Sequence, residues 1–161
     1  MSKSSENVEW GTGWVWPVPD RSAAQPAVMS QEFRPTNHRG VDIMFREAGK
    51  WVAPEGTPIL AARDGVVWST GSTARGGNVV LDHGPPFATF YQHLATITVT
   101  QGQHVKAGQQ IGTMGADPTD PQGYRHLHFE VWYKGAADKA VDPAPMLARA
   151  PHSGWGLHDI A

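Results

Sequence analysis

The chain contains no cysteine. Disulfides, thiolate metal sites and cysteine nucleophiles are therefore excluded together, and a transition metal would have to be held by imidazoles and carboxylates. Long apolar runs are also missing, so nothing in the sequence reaches the ~20 residues of a membrane-spanning helix. Lys and Arg form no cluster, and the net charge is -2. The electrostatic footprint of a nucleic-acid or anionic-membrane binder is thus missing, and neither partner nor membrane insertion is expected. The opening Met1-Ser2-Lys3-Ser4-Ser5-Glu6-Asn7 lacks the apolar stretch of a signal peptide, which predicts synthesis in the cytoplasm without a leader.

Glycine (18) and proline (13), by contrast, are abundant in the 161 residues. They fall at short intervals between runs rich in Val, Ile, Thr and aromatics, the punctuation of an all-β domain with little room for helices. Strands are predicted at 41–44, 58–62, 65–69, 78–82, 88–93, 97–99, 110–114 and 127–133, with turns at Asp64-Gly65, Gly76-Gly77, Gly84-Pro85-Pro86 and Gly108. The segments starting at Gly56 and Gly102 echo each other faintly: a glycine, an apolar residue three positions on, then a small residue. Trp10, Trp14 and Trp16 lie in a Gly-rich N-terminal arm, and Trp155 in a Pro/Ala-rich tail. Packing of these arms over the domain's own surface is the first reading, and docking into a larger assembly the second. The domain organisation expected is an arm and first strand at 1–29, a principal domain at 30–147 and a tail at 148–161.

Chemistry concentrates in three clusters: His38-Arg39-Gly40-Val41-Asp42, Tyr91-Gln92-His93-Leu94 and His126-Leu127-His128-Phe129-Glu130-Val131. In the third, period-2 alternation puts both histidines on one strand face and Leu127, Phe129 and Val131 on the other. A hydrolytic zinc needs three imidazole or carboxylate ligands and an open position. His38, Asp42 and one member of the His126/His128 pair supply that set, and the other member lies within reach of a reacting water. His93, read on the same strand face as Thr89 and Tyr91, adds another imidazole. Glu130 faces the site and is read as a partner of a ligand, since a fourth protein ligand would close the open position. His83 is read as a strand-end histidine bonded to backbone, and His104, His152 and His158 are assigned to solvent. Two histidines and a carboxylate also make the facial triad of an iron oxygenase, but two further histidines converging there argue for hydrolysis.

In their order these clusters resemble the lysostaphin-type zinc metalloendopeptidases, which cut bacterial cell-wall peptides. The likeness extends through Gly56-Thr57-Pro58-Ile59, Asp64-Gly65-Val66-Val67, Gly77-Asn78-Val79-Val80, Gly102-Gln103-His104-Val105, Gly108-Gln109-Gln110-Ile111-Gly112 and Asp142-Pro143, covering roughly residues 30–147. The resemblance implies that His38, Asp42 and His128 bind Zn2+ and that His93 and His126 are the catalytic pair. It also implies an antiparallel barrel-sandwich hybrid, a duplicated hybrid motif, with an open groove. The implied activity is hydrolysis of peptidoglycan peptide cross-bridges, with a non-enzymatic wall- or partner-binding module on the same scaffold as the alternative. Joined to the leaderless N-terminus, it suggests a phage lysin or a wall hydrolase of a virion tail, acting after lysis or within the particle, with the Trp-bearing termini as docking elements. The sequence departs from the family in reading Phe33-Arg34 where Phe-Gly-x-Arg is usual, and in the polar, Pro-stiffened stretch 116–125, which would wall the groove beside His126.

Overall fold

In the computed structural model, residues 7–154 are described. They form a nearly all-β protein built on one large antiparallel sheet. The strands are β1 (Val28–Gln31), β2 (Val41–Glu47), β3 (Lys50–Val52), β4 (Pro58–Leu60), β5 (Gly65–Thr73), β6 (Gly76–Asp82), β7 (Phe87–Ile97), β8 (His104–Val105), β9 (Gln110–Met114), β10 (Leu127–Tyr133) and β11 (Ala140–Val141). The main path runs β1-β2-β10-β7-β6-β5-β8; β3 pairs with β2, β11 with β10, and β9 with both β4 and β7. Helix is confined, among the described residues, to a 3-10 turn at Ala137–Lys139 and one α-turn, α1 (Ala144–Leu147).

The centre of this sheet positions everything that follows. In β2 the odd residues Val41, Ile43 and Phe45 are fully buried, and in β10 so are Leu127, Phe129 and Val131. Asp42 and Met44, with His128 and Glu130, line a groove on the opposite face. Antiparallel pairing sets Asp42 directly across from His128, and His128 across from Gln92 of β7. Register is strongly fixed here, because a slip of one residue would send both polar rows into the core. The expected strands 110–114 and 127–133 form with those bounds; β2, β5, β6 and β7 run longer than composition alone suggested, since pairing carries strands through polar and small residues such as Ser72, Thr73, Gly76 and Gly77. The stretch 97–99 is not a separate strand: Ile97 ends β7. The two echoing segments each begin with a glycine at positive φ (Gly56 +84°, Gly102 +88°) and then enter β4 and β8.

The N-terminal arm is part of the core. Trp14 and Trp16 are buried with Val18, the Trp14 indole donates to the Trp10 carbonyl, and Trp10 stacks on Phe87 with centroids 5.5 Å apart. Trp16 donates to the Leu147 carbonyl of α1 and stacks on His152 at 4.2 Å. His152, assigned to solvent from sequence, is exposed yet bonded to Asp20 at 2.7 Å, because the arm and tail run side by side through Trp16 N–H to Pro151 O and Asp20 N–H to Ser153 O. Trp155 and His158 lie outside the described residues.

Candidate metal centre and its groove

The groove has a volume of about 790 Å³ and runs across β2, β10 and β7. At its floor, Asp42 Oδ1 is 3.2 Å from His38 Nε2 and 3.1 Å from His128 Nδ1. One ligand-type atom from each of these three residues lies within 4.8 Å of the others. His38 sits just before β2, where the loop closes through Arg34 N–H to His38 O and His38 N–H to Arg34 O. Its Nδ1 is 2.7 Å from the Glu32 carbonyl, an acceptor only. The ring therefore carries its proton on Nδ1 and offers the Nε2 lone pair to the cluster. Gly40 lets the β2 entry lie against β10, since a Cβ there would crowd the Phe129 carbonyl and come within 2.9 Å of Glu130 Cγ.

Two further imidazoles border the cluster. His126 precedes β10, with Nδ1 3.1 Å from the Tyr124 carbonyl and Nε2 3.7 Å from Asp42 Oδ2. His93 has Nδ1 2.8 Å from the Arg75 carbonyl, and its ring centroid is 4.7 Å from that of His126. In both rings the carbonyl fixes the Nδ1–H tautomer and leaves Nε2 as the basic nitrogen.

His93 reaches the groove by a route that strand alternation does not foresee. Thr89 and Tyr91, with which it was expected to share a face, are fully buried: the Tyr91 hydroxyl accepts from Ala62 N–H and from Thr89, which also meets His83 at 2.7 Å. The groove-facing residues of β7 are Phe90 and Gln92. His93 joins them because it is the extra residue of a bulge. Asn78 pairs with Gln92 and Gly77 with Leu94, so His93 has no partner across the strands, and its φ of +71° turns its side chain to the other face. Gly76 makes room, for a Cβ there would lie 3.3 Å from His93 Cα. Burial lowers the His93 pKa, with the backbone bond to Arg75 working in the opposite direction.

Charge is matched tightly around Asp42. Burial by itself would raise its pKa, but the bond from His128, a bond from His38 when that ring is also protonated on Nε2, and the nearby charge of His126 outweigh burial and hold the carboxyl well below its ordinary value. Burial would lower His128, yet Asp42 and Glu130 overcome this and push its pKa up to about 9. One carboxylate and two imidazoles, the types of donor that could hold a metal ion, thus converge on one point of the groove floor.

Sequence reasoning singled out Glu130 but not the partner that completes it: Trp132, two residues on along the same face, donates its indole N–H to Glu130 Oε1 at 2.8 Å. It also missed Arg75 and Asp117. Asp117, in the 116–125 stretch, is 7% exposed; its Oδ1 accepts from Thr119 N–H and hydroxyl, and its Oδ2 lies 3.0 Å from Arg75 and 4.0 Å from His93 Nε2. The Asp-x-Thr spacing of an Asx turn was the available signal. Asp120, Gln122 and Tyr124 of the same stretch also line the groove. His83 bonds the Asp64 carbonyl at the end of β6, and His104 is exposed.

Residues 36–143 match the model of peptidase family M23, and the chain belongs to that family. The lipoprotein YgeR of Escherichia coli is 37% identical over 136 residues, covering 83% of this chain and 47% of its own length. The murein hydrolase activator NlpD of E. coli is 38% identical over 112 residues, 68% of this chain and 26% of its own. Among solved structures, a zinc-containing peptidase from Vibrio cholerae superposes with a TM-score of 0.65 at 28% identity, over 81% of this chain and 39% of that one. The catalytic domain of the antimicrobial peptidase lysostaphin from Staphylococcus simulans gives 0.59 at 26% identity, over 86% and 90%. The chain spans less than half the length of these two curated relatives. They overturn the expectation of a leaderless cytoplasmic protein reaching the wall at lysis. One of these relatives is a lipoprotein and the other a murein hydrolase activator, so the polar stretch at residues 1–7 carries no information on delivery.

Proposed function

We propose that this protein is a zinc-dependent endopeptidase that hydrolyses peptide cross-bridges of bacterial peptidoglycan. The observation that carries the reading is the convergence of the His38, Asp42 and His128 ligand atoms within 4.8 Å, bordered by two imidazoles that keep Nε2 as their basic nitrogen. The donor set fits zinc: two imidazoles and one carboxylate, with Glu130 turned away toward His128 Nε2 and the groove side left open. His38 through Nε2, Asp42 through its carboxylate and His128 through Nδ1 would hold the ion. Zinc supplies Lewis acidity, bringing the pKa of a water toward ~7 and polarising a carbonyl.

The chain's own residues do the rest. One of the Nε2 atoms of His93 and His126 takes the proton from the attacking water and returns it to the amine as the C–N bond breaks. The other, when it carries a second proton on Nε2 as an imidazolium, donates to the oxyanion of the tetrahedral carbon. Residues 30–147 are the catalytic unit in this reading, flanked by 1–29 and 148–161. The likeness to a murein hydrolase activator supports a wall substrate, and the likeness to the zinc-containing V. cholerae peptidase supports the metal.

The test is metal content together with peptide release from defined cell walls. His93→Ala is expected to keep zinc and lose ~10²–10⁴ in rate, the usual worth of general acid–base help. His128→Ala is expected to lose zinc and activity together, and retention of both would refute the ligand assignment. A second reading, a murein hydrolase activator, is favoured by the likeness to NlpD. A zinc-saturated preparation inert on every wall tested would support it.

A further inference from the structure

Glu130 is a buried acid that the hydrolytic steps do not use. It is 3% exposed, and each of its oxygens has one partner: Oε2 lies 2.8 Å from His128 Nε2, and Oε1 accepts from the Trp132 indole at 2.8 Å. His128, Glu130 and Trp132 are alternate residues of β10, so strand geometry alone lines them up on one face. Across the strand pair, Gly40 of the β2 entry leaves the space that the Glu130 side chain fills.

His128 differs from the other imidazoles of the site in one respect. His38, His93 and His126 each point Nδ1 at a backbone carbonyl, whereas His128 turns Nδ1 toward Asp42 and leaves Nε2 to a side chain. A neutral imidazole has one lone pair, and the partner of one nitrogen decides which nitrogen keeps it. We propose that Glu130, anchored by the Trp132 indole, is the positioning residue that holds the His128 proton on Nε2 and so hands Nδ1 to the metal. This rests on the zinc reading above.

The geometry makes glutamine at 130 a sharp test, because a carboxylate accepts from both donors and a carboxamide has a single oxygen. In Glu130→Gln, if that oxygen stays with Trp132, the NH2 faces His128 Nε2 and favours the proton on Nδ1, the wrong nitrogen for ligation. In the double variant Glu130→Gln/Trp132→Phe the competing indole donor is gone, and the oxygen is free to turn to His128.

Zinc affinity is read by competition with a chromogenic chelator, with no substrate present. Glu130→Gln is expected to bind ~10–100-fold more weakly than the wild type, the usual cost of losing such a partner. The double variant is expected to regain most of that loss, which loss of packing alone would not produce. Affinity of Glu130→Gln within about threefold of wild type, or a double variant as weak as the single, overturns the proposal. Long-range ¹⁵N–¹H spectra of the zinc-loaded wild type test it without any substitution: a proton on His128 Nε2 supports it, and a proton on Nδ1 overturns it. A wild-type protein that binds no zinc is a separate result, defeating the zinc reading and this proposal with it.

Discussion

Asp117 shows how much one side chain can hold in place. Its two oxygens gather Thr119 and Arg75, tying the 116–125 stretch to the β5–β6 turn beside His93. Asparagine retains an oxygen for the Thr119 N–H, whereas alanine retains nothing. Asp117→Ala is therefore expected to cost about 1–3 kcal/mol in urea unfolding, with Asp117→Asn recovering most of it. Tyr91→Phe makes a comparable case in the core: it strips the buried Ala62 N–H of its acceptor, and the same measurement should read about 1–3 kcal/mol. At this scale the sequence is most legible where a chemical job restricts residue type and spacing. His38, Asp42, His93, His126 and His128 stand out on that ground, and all five border one groove. Trp132 does not stand out, because an indole in a strand reads as packing until the carboxylate beside it is seen.

The β7 bulge is the element on which the groove turns. Counting by twos along β7 sends His93 into the core with Thr89 and Tyr91; the bulge sends it the other way. Sequence alone could not reveal this, because the extra residue exists only relative to the register of β6, set by Gly76 and Gly77 across the pair. A residue at φ +71° other than glycine carries strain of order 1 kcal/mol, retained where the side chain is needed. His93→Gly relieves that strain but gives up the buried bond to the Arg75 carbonyl, so it should lose hydrolysis with a smaller fall in unfolding temperature than His93→Val, which keeps the strain and loses the bond as well. Calorimetry beside a wall-release assay separates the two effects. The strands whose bounds were readable in advance are β9 and β10.

Across the whole molecule, charge at the groove floor couples folding to pH. In the metal-free protein, His128 holds its proton up to about pH 9 against an ordinary 6.5. Its contribution is complete below 6.5 and fades as pH rises through 9, while Asp42, held low, withdraws its share only in acid below its ordinary 3.8. Thermal stability of the metal-free protein should fall between pH 6.5 and 9, by at most about 3 kcal/mol. Added zinc should stabilise more at the upper end of that interval, because a His128 that ligates through Nδ1 must release the proton there while keeping the one on Nε2.

The N-terminal arm was the part least readable in advance, since its partners lie far along the chain: Trp10 meets Phe87, Val15 meets Ala62, Trp16 meets Leu147 and Pro151, and Asp20 meets Ser153. The family-matched stretch 36–143 begins after Trp14, Trp16 and Val18 and stops before Met146 and Leu147, all of them buried. Excising that stretch for expression would therefore leave a hydrophobic trench open along one flank, and the trimmed fragment should aggregate although every residue of its groove floor is retained.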